Sequence, residues 1–419
     1  MIDLMLNWSE WIKPSAGLPT VQWALLLALA AGAGHLLQRY LGLPKVLGYS
    51  IVGAVAGFSG YTAATWPLDG IAQFMVELGL SIVLFEAGGR LSLRWFRHNP
   101  MLLAQSLGEA VATYLLVWWV LMLFGVDEAL HMPLALLLVA ASPAVLMRVA
   151  SDIRASGPVT DRAITLAALN TFYVLALGGV MARLLGREEA RLADAFYPVL
   201  LLLVASVLVG ALLALALRKA LQIMSPTSEN TAVLQLALIA AGTALAAHFG
   251  GSAPLAALLA GILLKTLHPR PWSWPRQFGT ASAILTILMF VLVSMAAAQA
   301  PWNWQAWSLI AALVLARALA KLAAIGLAGI GSGASPKQAL WTAGAMWPLS
   351  AVALLLVSQF AEFAPTIGAP AAAIALPLIL LMEVLGALMA VLALQRAGEA
   401  GRPPATRRIK VEGDTTDAA

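Results

Sequence analysis

Apolar runs of roughly 18 to 25 residues follow one another almost without interruption, and this recurrence limits what the chain can fold into. As a helix, each run is long enough to cross a hydrocarbon core of about 30 Å. With 61% hydrophobic and 11% charged residues, the chain could not clothe itself in polar surface as a soluble protein does. In lipid, backbone amides and carbonyls find partners only within helices or a closed barrel. The period-2 alternation of a barrel is missing, so the fold class is an all-α polytopic membrane protein whose first partner is the lipid bilayer.

About thirteen spans are read, at residues 21–41, 46–60, 71–89, 102–124, 132–150, 163–185, 195–217, 231–248, 253–268, 281–299, 306–329, 338–359 and 370–395. Lys and Arg gather in alternate loops: Arg39 and Lys45; Arg90, Arg94 and Arg97; Arg148, Arg154 and Arg162; Arg218 and Lys219; Lys265, Arg270 and Arg276; Lys337. The intervening loops carry Asp69, then Asp127 and Glu128, then a mixed stretch from Arg187 to Asp194, then Glu362. Basic loops mark the cytoplasmic side, which puts segment 1–20 outside and the Pro-, Gly- and charge-rich tail 396–419 inside the cell, in an inner membrane. The tail is expected to be disordered. Trp272, Trp274, Trp302, Trp304 and Trp307 read as interfacial anchors. No signal peptide is read, and the absence of cysteine excludes disulfides and thiolate metal sites. No Gly-rich phosphate loop follows a strand, no metal-ligand spacing or nucleophile–base set stands out, and nucleic acid is not an expected partner. The reading is a protein without cofactor or metal, and not an enzyme.

Two spans are interrupted near their middle, by Ser142-Pro143 and by Trp347-Pro348. Proline removes a backbone donor and clashes with the preceding turn, so each helix is expected to break there. Backbone groups freed at that depth are tolerated only inside protein or beside a water-filled cavity, and paired broken helices mark the binding site of secondary transporters. Spans four to six and eleven to thirteen then read as inverted copies, each with a broken helix at its centre.

Ionisable residues inside spans cost about 2.5 to 3.5 kcal/mol each on insertion scales and are functional candidates by default. They are Glu77, Glu86, Glu109, Arg317, Lys321 and Glu383. Lys321 lies deep in an otherwise apolar helix, and a buried lysine needs a carboxylate or loses its proton. Glu109 and Glu383 both stand at a depth to pair with it. Glu86 can instead meet Arg90 at i+4. The histidines, Gly53-xxx-Gly57 and the stretch ending at Gly261 read as packing.

Five blocks in order, LGLPKVLGYSIVGAVAGF (41–58), ELGLSIVLFEAGGRLSLRWFR (77–97), ASPAVLMRV (141–149), GSAPLAALLAGILL (251–264) and LARALAKLAAIGLAG (315–329), resemble the monovalent cation/proton antiporter superfamily, most closely its bacterial sodium/proton and potassium/proton exchangers. The resemblance implies a homodimer, each subunit having a dimerisation domain and a core (about 102–185 and 306–395) in which two crossed broken helices surround the ion site. It implies alternating access, with one carboxylate taking cation or proton in turn. Lys321 falls on the family's core lysine, and Ser142 and Pro143 on its first crossover. Asn170 and Thr171 fall where the family usually ends in aspartate, yet no Asp or Glu occurs from Arg162 to Arg187. The second crossover also departs, reading Trp347-Pro348-Leu349-Ser350. Exchange of Na+ or K+ for protons is then expected through another group, Glu86, Glu109, Glu383 or Lys321 itself. Two alternatives stay open: a member that no longer exchanges and acts as a sensor, or a carrier of an organic solute.

Overall fold

The computed structural model describes residues 18–60, 66–68, 70–91, 99–185, 196–225, 228–267, 276–300, 302, 306–329 and 331–401. Arg94, Arg97, Asp69, the Arg187 to Asp194 stretch, Arg270, Trp272, Trp274 and Trp304 lie outside these residues, as do most of segment 1–20 and residues 402–419. The described chain is helical: α1 Leu18–Leu41, α2 Lys45–Phe58, α3 Gly70–Arg90, α4 Pro100–Leu123, α5 Glu128–Val139, α6 Pro143–Asp152, α7 Pro158–Leu185, α8 Phe196–Ile223, α9 Glu229–His248, α10 Ala253–Leu267, α11 Arg276–Ala298, α12 Trp307–Gly329, α13 Pro336–Ala345, α14 Val352–Phe363 and α15 Pro365–Arg396. Ten helical stretches are long and apolar enough to cross a membrane, counting α5 with α6, and α2, α10 and α14 are shorter apolar helices. The chain is a multi-pass membrane protein.

The fifth and twelfth spans break as their prolines require, α5 from α6 at residues 140–142 and α13 from α14 at residues 346–351. Each broken span runs longer than the sequence suggested, reaching 128–152 and 336–363. Polar caps account for the extra turns. Asp127 accepts from the Ala129 amide at 3.1 Å at the start of α5, and Ser335 and Gln338 form a capping box at the start of α13.

Helices α1–α3 and α8–α11 form one group, here the scaffold, and α4–α7 with α12–α15 form a second, the core. Small residues set the close approaches within the scaffold. A Cβ at Gly53 or Gly57 would collide with the carbonyls of Val291 or Met295 on α11, and one at Gly88 or Gly261 with the facing backbone of α10 or α3. The core repeats one pattern twice: a long helix (α4, α12), a broken one (α5–α6, α13–α14) and another long one (α7, α15).

One boundary differs from the sequence reading. The segment expected to be disordered from 396 begins as folded chain: Gly401 donates to the Ile153 carbonyl at 3.0 Å, and the Glu399 side chain is 3% exposed. A polar composition hid the reason. Glu399 accepts from the amides of Val159 and Thr160, each at 2.8 Å, and from Thr160 Oγ1 at 2.7 Å, capping the start of α7.

Candidate functional site

The two breaks meet inside the core. The Ser142 amide donates to the Pro348 carbonyl at 3.0 Å, tying one crossover to the other. Their serines serve the half-helices that follow: Ser142 Oγ accepts from Val145 N at 3.2 Å, and Ser350 Oγ from Val352 N at 3.3 Å. Pro143 opens α6, and Pro348 packs against Gly386, where a Cβ would overlap the proline ring's own Cα. Trp347 lies at the same break, its indole nitrogen buried without an acceptor.

Both α5 and α13 end at these breaks, so two helix C-termini with unsatisfied carbonyls face each other, each carrying about half a negative charge. Arg317 of α12 fills that position. Its guanidinium donates to Leu138 O at 2.9 Å, Ala140 O at 2.8 Å, Pro348 O at 3.3 Å and Met346 O at 3.4 Å, and also to Trp347 O. It is 1% exposed. The sequence singled out Lys321 and left Arg317 unweighed, although the i+4 interval places both on one face of α12.

One turn along α12, Lys321 Nζ donates to Glu109 Oε1 of α4 in an ion pair, and neither side chain is exposed at all. Glu109 Oε1 also accepts from Thr113 Oγ1 at 3.0 Å, and its Oε2 accepts from Asn170 Nδ2. Asn170 Nδ2 reaches Val139 O at 3.3 Å as well, while Asn170 Oδ1 is buried with no partner. Thr171 Oγ1 lies 3.0 Å from Ala141 O and 2.9 Å from Ala167 O. The structure thus brings Glu109, Lys321, Asn170, Thr171 and the first crossover together. Gln105, Ser106, Glu109 and Thr113, all buried, form a polar stripe on α4 at helical spacing, a signal legible in the sequence but not used.

The remaining acids sit elsewhere. Glu383 of α15 meets Ser294 of α11, not Lys321. Glu86 of α3 accepts from Ser282 Oγ of α11 at 2.8 Å and is a scaffold residue. Glu77 bonds Gln73 at 3.1 Å and, with Glu362 and Arg183, lines a cavity of about 170 Å³ between core helices α7 and α14 and scaffold helices α3, α8 and α10. The cavity floor includes Val174 and Leu175, one turn along α7 from Asn170 and Thr171. On the opposite face the two groups are closed on each other. Asp152 Oδ2 accepts from Lys45 N at 2.9 Å, Lys45 Nζ lies 3.8 Å from Asp152 Oδ1, and Arg148 donates to Tyr49 Oη at 3.1 Å. Among the described residues, no group of His, Asp and Glu converges to hold a metal ion as a resident cofactor.

The sodium/hydrogen exchanger transmembrane model matches residues 25–397. Two structures of the sodium proton antiporter MjNhaP1 from Methanocaldococcus jannaschii share the fold. An electron-microscopy structure gives a TM-score of 0.72 at 17% identity, over 93% of this chain and all of that one. The second, at pH 8, gives 0.66 at 16% identity over 90% and 98%. No curated protein matches the sequence significantly. A match over nearly the whole membrane part, joined to two crossing broken helices around buried charge, makes this chain a member of the sodium/hydrogen exchanger family, secondary cation/proton antiporters rather than enzymes.

Proposed function

We propose that the protein exchanges a monovalent cation, Na+ or K+, for protons by alternating access, with Glu109 as the carboxylate that takes the cation. The observation that carries this reading is the buried Glu109–Lys321 pair bonded to Asn170 beside the first crossover. The acid missing from α7 is replaced from the neighbouring helix, and Asn170 joins it to the usual place.

Charge balance supplies the coupling. Arg317 offsets the two half-helix ends, roughly one negative charge in sum. Glu109 and Lys321 offset each other. A cation added to this closed set would leave an uncompensated positive charge in a water-poor interior, which costs several kcal/mol. Loss of the Lys321 proton removes that charge and frees Glu109 Oε1. The cation then has Glu109, the unpartnered Asn170 Oδ1 and Thr171 Oγ1 as hard oxygen ligands. One cation for one proton follows.

Access is through the cavity on the Glu362 face while Lys45, Asp152, Tyr49 and Arg148 close the other. With basic loops cytoplasmic, that cavity opens outward, the N-terminus lies outside and the tail lies inside an inner membrane. The scaffold is read as the dimerisation domain of a homodimer, with the little-covered α1 on its lipid face, and the core as the part that slides.

Proton flux from proteoliposomes with an internal pH dye, on addition of Na+, K+ or Li+, tests this. The wild-type protein is expected to dissipate the gradient and Glu109→Gln is not. Equal flux from both would remove Glu109 from the mechanism, and no response to any cation would favour a sensor or a carrier of another solute.

A further inference from the structure

Among the described residues, two acids of the core bond across to the scaffold: Asp152, at the end of α6, meets Lys45, and Glu383, within the α15 span, meets a hydroxyl. Glu383 projects from α15 and is 2% exposed. Ser294 Oγ of α11 donates to its Oε2, and Ser50 of α2, fully buried with a hydroxyl that makes no hydrogen bond, stands beside it.

The charged and titratable groups on the elements packed against α15 are engaged elsewhere. On α12, Arg317 is held by the crossover carbonyls and reaches Met382 Sδ of α15, and Lys321 is held by Glu109. On α2 and α6, Tyr49 faces Arg148 and Lys45 faces Asp152. On α7, Tyr173 bonds Ser106, Arg162 bonds Gln105 and Ser332, Arg183 lies over Phe363, and Asp161 stands near Arg90 and Glu399. His131 of α5 bonds the Val126 carbonyl. Glu128, Lys337, Glu362 and Arg396 lie at the ends of their helices. Among the described residues, Glu383 therefore meets hydroxyls alone.

We propose that Glu383 is a proton-binding lock between core and scaffold: ionised, it pins the core where the serines are, and protonated, it lets the core slide. The physical reason is what the carboxyl leaves behind when the core moves. Ser294 and Ser50 stay with the scaffold. A neutral carboxyl gives up one weak hydrogen bond and enters apolar surroundings at modest cost. A carboxylate would be stranded there without donor or cation, the costliest state for a group inside a membrane. Each protonation event at this interface thus regulates motion without supplying the exchanged proton.

The proposal rests on exchange at Glu109 for its flux readout only. In proteoliposomes, the ratio of Glu383→Gln flux to wild-type flux is expected to rise by about tenfold per pH unit on the alkaline side, the slope set by loss of one proton. Ser294→Ala should move the same way by less. A ratio that stays flat with pH, or a folded Glu383→Gln protein that is silent at every pH, overturns the lock. The second readout needs no transport. The chain has no cysteine, so Tyr40→Cys on α1, which is 73% exposed, and Lys337→Cys on α13 can be spin-labelled without background. Two distance populations at acid pH should merge into one at alkaline pH, and Glu383→Gln should keep both throughout. A Glu383→Gln protein that redistributes with pH as the wild type does overturns the proposal, whatever Glu109→Gln does to flux.

Discussion

Glu109 and Glu383 are the same residue, both nearly or fully buried in the core, and their surroundings differ in one respect. Glu109 takes an ammonium from α12, a hydroxyl from its own helix and an amide from α7, all within the core. Glu383 takes a hydroxyl from α11, with the Ser50 hydroxyl of α2 beside it, across the boundary between helix groups. One acid carries its partners with it when the core moves, and the other leaves them. The first is built to be rearranged by chemistry at the site, the second by displacement. Burial alone would have ranked them together.

The sharpest way to break this comparison is at Glu109. Glu109→Gln leaves Lys321 buried without its carboxylate, and breaking such a pair costs about 3–5 kcal/mol. Both a fall in unfolding temperature and loss of flux are expected. The double change Glu109→Gln with Lys321→Gln should recover most of the stability, since no charge is then uncompensated, but no flux. Transport by the double variant would show that neither residue couples cation to proton. Next in size is Arg317→Met. It withdraws a donor from five carbonyls at the crossovers, of which Pro348 O keeps the Ser142 amide, and each buried group left unsatisfied costs about 1–3 kcal/mol. Thermal unfolding should drop well below that of Glu109→Gln with Lys321→Gln, because apolar replacement satisfies neither helix end. An unchanged midpoint would mean that water takes over those carbonyls.

The ten long apolar helical stretches, the three shorter ones and the two proline breaks could be read from the sequence because lipid leaves a chain few ways to satisfy its backbone. Lys321 stood out for the same reason, as a charge with no place in an apolar run. What could not be read was which helix supplies the acid. Asn170 and Thr171 stand on a stretch of α7 without a carboxylate, and the acid that meets Asn170 lies 61 residues away on α4. Glu383 stood at a depth to reach Lys321, yet faces the scaffold, a matter of helix rotation that periodicity leaves open in a span buried on most sides. Arg317 looked like one more intramembrane charge because its partners are carbonyls, which every residue has.

A smaller effect sharpens the charge balance at Glu109. Asn170→Asp restores an acid to α7 and sets two carboxylates against one ammonium. Like charges at that distance cannot both ionise without a second cation or proton, so the pair is expected to hold one extra proton at rest. By the same charge balance one cation still replaces one proton, now drawn from the carboxylate pair, so exchange stays electroneutral. A potential-sensitive dye should show no response in wild-type or Asn170→Asp proteoliposomes, while Na+-driven flux persists in both. A wild-type response would refute the one-for-one exchange drawn from Arg317, Glu109 and Lys321.

The smallest effect belongs to a third buried acid, which serves as a control for the other two. Glu399 accepts hydrogen bonds from the amides and hydroxyl that open α7, all within the core, and none of these donors changes protonation, although Asp161 stands near it. It therefore has the travelling partners of Glu109 without a titrating one. Glu399→Gln keeps one oxygen for the cap and removes the charge that favours a helix N-terminus, a loss of about 1 kcal/mol. The unfolding midpoint should fall slightly, while the pH profile of exchange and the cation concentration at half-maximal rate stay as in the wild type. A shifted pH profile would mean that acids tied wholly inside the core also sense protons. The boundary that Glu383 spans would then not be what sets it apart from Glu109.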